Sequence, residues 1–251
     1  MKKIKKAILK IIFFFREALS SYRKMPDFII IGTQKGGTSS LFHYLKQHSG
    51  VSMSHRKEVH YYDLNYDKGE SWYRTHFPFK SDKRLTGEAS PLYIFHPHVP
   101  KRLHKDLPNV KLILLLREPA DRAFSHYKMM RKKGREELNF REAIEQEDSR
   151  LQPEWDAMLK DETYNGHHFR VHSYAARGRY DEQIQNWYKY YPSNQILVIQ
   201  SEDFFDNTED VMKEVYTFLG LSYNDSISYI NKNKGATGNM GDEMKKKLYD
   251  Y

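Results

Sequence analysis

The sequence predicts an α/β domain in which a central parallel sheet is flanked by helices. Three observations predict it. Phe28–Gly32 (FIIIG), Val110–Arg117 (VKLILLLR) and Ile196–Gln200 (ILVIQ) are continuous apolar runs of strand length, as strands covered on both faces require. Segments of helical periodicity lie between and after them, and strands alternating with helices join by right-handed crossovers into a parallel sheet. The 251 residues suit one such domain with a sizeable core, and 14 Phe, 19 Tyr and 3 Trp exclude a disordered chain.

In chain order, a strand at Phe28–Gly32 leads through a Gly-rich turn into a helix from Thr38 to His48. Ser71–Phe77 reads as a short helix, Leu85–Glu88 as a short strand and Pro97–Lys105 as a helix. After the Val110–Arg117 strand, helices are expected over Ala120–Lys132 and Phe140–Arg150. Residues 151–168 show no clean period and read as a loop. Tyr174–Tyr190 is expected to be helical, Ile196–Gln200 a third buried strand, and Thr208–Leu219 a helix ended by Gly220. There is no internal repeat, low-complexity linker or domain break, so residues 26–251 are expected to form one domain behind an N-terminal segment, 1–25.

The net charge of +8 sits almost entirely in that segment. Residues 1–24 carry eight Lys/Arg and one acid, which leaves the rest of the chain at +1 and gives no argument for nucleic-acid binding. Ile4, Ile8, Ile11, Phe15, Leu19 and Tyr22 fall at helical spacing, so a basic amphipathic helix is predicted. The apolar run Ala7–Phe15 contains Lys10 and is too short to span a bilayer. Arg16 and Glu17 follow it without a small-x-small cleavage pattern, which argues against a signal peptide. Two readings remain: a helix lying on an anionic membrane surface, and a helix docked on its own domain or on a partner. The absence of Cys excludes disulfides, thiolate metal sites and a cysteine nucleophile. It fits a cytoplasmic location, with peripheral membrane contact through residues 1–24.

The chemistry is concentrated after the first two strong strands. In Gly32-Thr33-Gln34-Lys35-Gly36-Gly37-Thr38-Ser39, a strand enters a Gly-rich turn and a helix leaves it. Glycines let backbone N–H groups approach an anion, the helix start adds a positive dipole end, Lys35 brings a cation, and Thr38 and Ser39 bring hydroxyls. The domain is therefore P-loop-like. The magnesium–triphosphate pattern G-x-x-x-x-G-K-[ST] is not met, because Thr38 stands where its Lys would be. A second anion site follows the second strand. Arg117 stands at the C-terminal end of that strand, where open α/β sheets bind ligands, and Ser125 lies eight residues on, in the next helix. Two phosphate sites at one sheet edge point to a ligand phosphorylated at both ends.

These segments resemble the sulfotransferases that use 3′-phosphoadenosine 5′-phosphosulfate (PAPS), most of all the branch of the heparan sulfate sulfotransferases and their bacterial relatives. The resemblance runs from about Pro26 to the C-terminus. It implies that TQKGGTSSL holds the 5′-phosphosulfate through Lys35, Gly36, Gly37, Thr38 and Ser39, and that LREPADRAFSHY holds the 3′-phosphate through Arg117 and Ser125. Lys234 and Gly235 in NKNKGATG match a loop that closes over the nucleotide, with Ala236 where the family often has Arg. Lys57-Glu58-Val59-His60-Tyr61-Tyr62-Asp63 is similar to the K-E-x-H-F-F stretch whose Glu is the family's proposed base. Glu58 is the candidate general base and His60 its rival, since imidazole titrates near neutrality. Gly87–Tyr93 (GEASPLY) is similar to an E-K-[ST]-P-x-Y stretch near the acceptor. Ala89 replaces its Lys, and Glu88 is a candidate second acceptor contact. The branch implies a saccharide or polysaccharide acceptor, PAPS as co-substrate and no metal.

His168 and His172 are four apart without an evident third ligand, and Arg131, Lys132, Lys133 and Arg135 form a basic cluster at a helix end. Alternative functions are a P-loop kinase or nucleotidase and a non-catalytic anion-binding protein of a membrane surface. Family members commonly continue past the position equivalent to Tyr251, so a shortened C-terminus is expected.

Overall fold

The computed structural model describes residue 13 and residues 15–223, 227–229 and 240–249. The N-terminal basic stretch through residue 12, and Lys234 and Gly235, lie outside the described residues.

The chain folds around five parallel strands: β1 (Phe28–Gly32), β2 (Val51–Met53), β3 (Leu85–Ala89), β4 (Lys111–Leu116) and β5 (Ile196–Gln200). Their order across the sheet is β2-β3-β1-β4-β5, with Ile29 opposite Leu112 and Glu88. In β1 and β4 the runs 28–31 and 112–116 are continuously apolar because both faces are covered. Ile29, Ile31, Leu112 and Leu114 enter one core, and Phe28, Ile30, Ile113 and Leu115 enter the other. All strand C-termini point to one edge. Order along the chain reverses between β1 and β4, which opens a crevice at their ends.

The connections are helical: α1 (Thr38–Gln47), α2 (Tyr61–Leu64), α3 (Gly69–Arg74), α4 (Val99–Asp106), α5 (Pro119–Lys132), α6 (Phe140–Glu145), α7 (Glu147–Lys160), α8 (His167–Val171), α9 (Tyr180–Tyr188), α10 (Ser201–Asp206), α11 (Thr208–Leu219) and α12 (Asp242–Tyr249).

Four expectations need correction. Residues 151–160 are helical, not loop: α7 buries Glu147, Leu151, Glu154 and Met158. The period was hidden because two members of that stripe are glutamates, and Pro153 lies inside the helix. Their carboxylates accept backbone N–H groups of the next segment, Glu147 from Ala175 and Ala176 at 2.7 and 2.8 Å, and Glu154 from Phe169 at 2.7 Å. Phe140–Arg150 is interrupted at Gln146, where α6 ends and α7 begins. Only Tyr180–Tyr188 of the expected Tyr174–Tyr190 helix is α-helical, preceded by a tight turn at Ala176–Gly178. Finally, β5 is an edge strand: Ile196 and Ile199 are buried in opposite cores, but Val198 is 40% exposed, so the run is only partly covered. The three-residue β2 was not foreseen.

The described part of the N-terminal segment docks on the domain. Arg16 Nε donates to the Thr75 carbonyl at 2.6 Å, Arg23 Nη1 to the Phe77 carbonyl at 2.8 Å, and the Phe13 ring packs against His76. Phe15, Leu19 and Tyr22 stay exposed on its outer side.

Candidate active site

The Gly-rich loop leaves β1 at the crevice. Thr33 N–H donates to the Leu115 carbonyl of β4 and Gly36 N–H to the Thr33 carbonyl, both at 2.9 Å, which folds the loop back over the strand end. Ser201 Oγ donates to the Gly36 carbonyl at 2.7 Å. A side chain at Gly36 would put its Cβ 2.9 Å from the Leu115 carbonyl oxygen. Gly37, with φ of 101°, turns the chain into α1. Lys35 also has a left-handed backbone, with φ of 75°. Such a conformation costs a non-glycine residue about 1–2 kcal/mol and survives only where the surroundings over-determine it.

Arg117 follows β4 directly. Its Nη1 donates to the Lys35 carbonyl at 3.3 Å, and its own carbonyl accepts from Tyr180 Oη at 2.8 Å. Pro119 opens α5, and the Glu118 carboxylate caps it by accepting from Ala120 and Asp121 N–H at 3.0 and 2.7 Å. Asp121, Ser125, Lys128 and Lys132, at spacings of four, three and four, face one cavity. Its volume is about 900 Å³, and Lys35, Thr38, Ser39, Arg117 and Ser125 all line it. Lys35, Lys57, Arg117, Lys128, Lys132 and Lys133 contribute six cations to the wall, against four acids. Burial, then the charges of Arg117, Lys133 and Lys128, pull the Lys35 ammonium below its usual pKa. This wall is arranged for an anion. Arg131 instead donates to the Glu136 and Glu137 carbonyls.

Glu58 lines the same cavity. Lys57 Nζ donates to its Oε1 at 2.8 Å, and His60 Nε2 lies 3.7 Å from its Oε2, an ion-pair distance. On its other side His60 Nδ1 donates to Asp63 Oδ2 at 2.8 Å, and the Asp63 carboxylate is fully buried. His60, aided by Lys57 and opposed by burial, holds the Glu58 carboxyl down at about 2. Burial alone would lower the His60 pKa, but Asp63 and Glu58 outweigh it and raise it to about 10. At neutral pH His60 is therefore an imidazolium beside the Glu58 carboxylate. Glu58 and His60 have φ of 61° and 55°, and with Lys35 they are the non-glycine residues of positive φ among those described. Ser90 Oγ accepts the His60 N–H at 3.1 Å, and Glu58 N–H donates to the Ala89 carbonyl at 2.9 Å, which ties the turn to the end of β3.

A family model described as "Sulfotransferase domain" matches residues 25–242. This chain belongs to the sulfotransferase family. It is 27% identical to the membrane-associated sulfotransferase kil1 of Dictyostelium discoideum, over 90% of this chain and 63% of that one. It is 30% identical to heparan sulfate glucosamine 3-O-sulfotransferase 6 of Mus musculus, over 85% of this chain and 58% of the mouse protein. The chain thus spans about three-fifths of the length of these relatives. Among solved structures, a sulfotransferase from Alicyclobacillus acidocaldarius superimposes with a TM-score of 0.71 at 27% identity, covering 90% of this chain and 91% of that one.

In this sulfotransferase domain, Lys35, Gly37, Thr38, Ser39, Arg117, Ser125 and Glu58 line one cavity. Gly36 lies within the same loop, and His60 reaches the site from behind Glu58. Glu88 does not reach it. Its carboxyl is fully buried, takes hydrogen bonds from Tyr73 Oη at 2.8 Å and Ser90 Oγ at 3.2 Å, and is pushed up by burial to about 7. It supports the strand end beneath His60 and cannot touch an acceptor. His168 and His172 bond to each other through their Nδ1 atoms at 2.9 Å, with His172 Nε2 on the Arg135 carbonyl. Two residues of the site were missed. Asp63 could have been found from its i,i+3 spacing to His60. Arg177 left no local signal.

Proposed function

We propose that this chain transfers a sulfuryl group from PAPS to a hydroxyl or amine of an acceptor, a carbohydrate by analogy with the heparan sulfate relatives. One observation carries the reading: Lys35, Arg117 and Glu58 line a single cavity. Residues 26–251 are the catalytic domain in this reading, and no metal is required. The Gly36–Ser39 amides and hydroxyls with Lys35 bind the 5′-phosphosulfate end, while Arg117 and Ser125 bind the 3′-phosphate. The excess of cations over acids in the lining and a volume of about 900 Å³ suit a nucleotide of this size and charge.

The transfer is in line. The acceptor atom forms a bond to sulfur as the bond from sulfur to the 5′-phosphate oxygen breaks, and the electron pair leaves on that oxygen, where Lys35 and the loop amides meet it. The acceptor proton passes to Glu58. His60 already carries its proton at neutral pH, which supports Glu58 as the base and His60 as the cation that orients it. Lys234 and Gly235 would complete the nucleotide site as a closing loop.

Calorimetric titration with 3′,5′-adenosine diphosphate (PAP) and with ATP–Mg²⁺ tests the reading. Binding of PAP without binding of ATP–Mg²⁺ is expected; the reverse would make the chain a kinase or nucleotidase. For the N-terminal segment we propose contact with an anionic membrane surface. Exposed Phe15, Leu19 and Tyr22 beside a +7 sequence support it, as does the relative named membrane-associated. Removing residues 1–24 should abolish partition onto anionic liposomes.

A further inference from the structure

Behind Glu58 lies a second, smaller cavity of about 150 Å³, bounded by His60, Leu64, Arg170 and Arg177. It meets the large cavity at three residues that line both, namely Gln34, Glu58 and Pro91. If the large cavity takes the nucleotide, this junction is where the sulfuryl group must sit, between the 5′-phosphate and an acceptor atom held over Glu58. Pro91 offers no side-chain polar group. Glu58 is a carboxylate and only accepts. Gln34 is the remaining polar side chain of the junction.

The orientation of Gln34 is settled by Arg177. That guanidinium is 2% exposed and is held on every side: Nε donates to Ser173 Oγ at 2.7 Å, and Nη2 to the Phe169 and Arg170 carbonyls at 2.9 and 3.0 Å. The Phe95 ring lies 5.3 Å from its centre. Nη1 donates to Gln34 Oε1 at 2.8 Å. Arginine has donors and no acceptor, so the end of the Gln34 amide that faces it must be the oxygen. The NH₂ end is thereby turned away from Arg177, on a side chain that lines both cavities.

We propose that Gln34 donates its amide N–H groups to the sulfuryl oxygens during transfer, and that Arg177 is a positioning residue that keeps the amide from flipping. This rests on the PAPS reading above. The transferring group is three oxygens around sulfur, and Lys35 serves the leaving phosphate oxygen. A donor preset at the junction would meet charge on the sulfuryl oxygens themselves. A flipped amide would instead present its oxygen to them and its NH₂ to a guanidinium, losing both contacts.

The test compares PAPS with PAP on the full chain, since the two differ only by the sulfuryl group. Gln34→Leu should weaken PAPS binding about tenfold while PAP binding stays within about twofold, and should slow single-turnover conversion of PAPS to PAP about 100-fold. Gln34→Glu keeps an acceptor for Arg177 and removes both N–H donors, so it should reproduce the loss for PAPS even if the Leu variant folds poorly. Arg177→Lys should narrow the same PAPS-to-PAP difference in the native loop and add nothing to it in a Gln34→Leu background. Equal weakening of both ligands, or no change in either, overturns the role of Gln34. Failure of the unmutated chain to bind either ligand overturns the pocket reading itself, and this inference with it.

Discussion

The two walls of the cavity solve opposite electrostatic problems. On the nucleotide side, Lys35 lies among Arg117, Lys128 and Lys133, and these like charges together with burial depress its pKa. On the acceptor side, Glu58, His60 and Asp63 alternate in sign and satisfy one another. The first wall stores unfavourable repulsion that an incoming anion relieves. The second is complete before anything binds. In the proposed reading, binding energy is thus concentrated where the donor's phosphates would land, while the proposed base and its partners are held in strained backbone at φ of 61° and 55°.

That contrast can be broken from either side. The largest effect is expected for Glu58→Gln, which should lower turnover about 10²- to 10⁴-fold while leaving PAP affinity unchanged by calorimetry. A fully active Glu58→Gln beside an inactive His60→Ala would reverse the roles of the two. Lys35→Ala should cost about 10²- to 10³-fold in turnover, because the leaving oxygen loses its cation. Arg117→Ala should act on the other quantity, weakening PAP about 10- to 100-fold with a smaller change in turnover at saturation.

Smaller and more diagnostic is Asp63→Asn. His60 is raised from an ordinary 6.5 to about 10, so its contribution to folding is complete below pH 6.5 and is lost as pH rises toward 10. Glu58 is lowered from 4.5 to about 2, so its contribution is present above pH 4.5 and is lost as pH falls toward 2. On the alkaline side, turnover of the native chain should therefore decline only as pH approaches 10, and on the acid side only as pH falls toward 2. Removing the Asp63 charge should bring that alkaline limb down toward neutrality, and an unmoved pH–rate profile would detach His60 from Glu58. The weakest expected effect is that of salt. PAP affinity should fall as ionic strength rises, while the pH profile set by the paired wall stays in place.

The two walls also differ in how far the sequence exposes them. The nucleotide wall is written in contiguous stretches: a strand, a glycine turn and a helix start around Lys35, then a strand end and one helix face from Arg117 to Lys132. Its residues are bound to β1 and β4, whose unbroken apolar runs reflect burial on both faces. The acceptor wall is assembled across the chain. Glu58 and His60 were visible through a resemblance, but the bond from Arg177 to Gln34 joins residues 143 apart, and nothing near Arg177 announces it. The same physics hid α7, whose buried face uses Glu147 and Glu154 to cap distant backbone and so looks polar in sequence. Period-based reading fails where a buried carboxylate does the work of an apolar side chain.

If the chain transfers sulfuryl from PAPS as proposed, the ring of cations around Lys35 also bears on the end of each catalytic cycle. After transfer the nucleotide keeps both of its phosphates, so the charges that recruit the donor grip the spent carrier almost as firmly. Departure of PAP should then limit steady-state turnover, and a fresh donor would have to compete with it. In a cell, the pace of this enzyme would be set by whatever clears PAP by dephosphorylation.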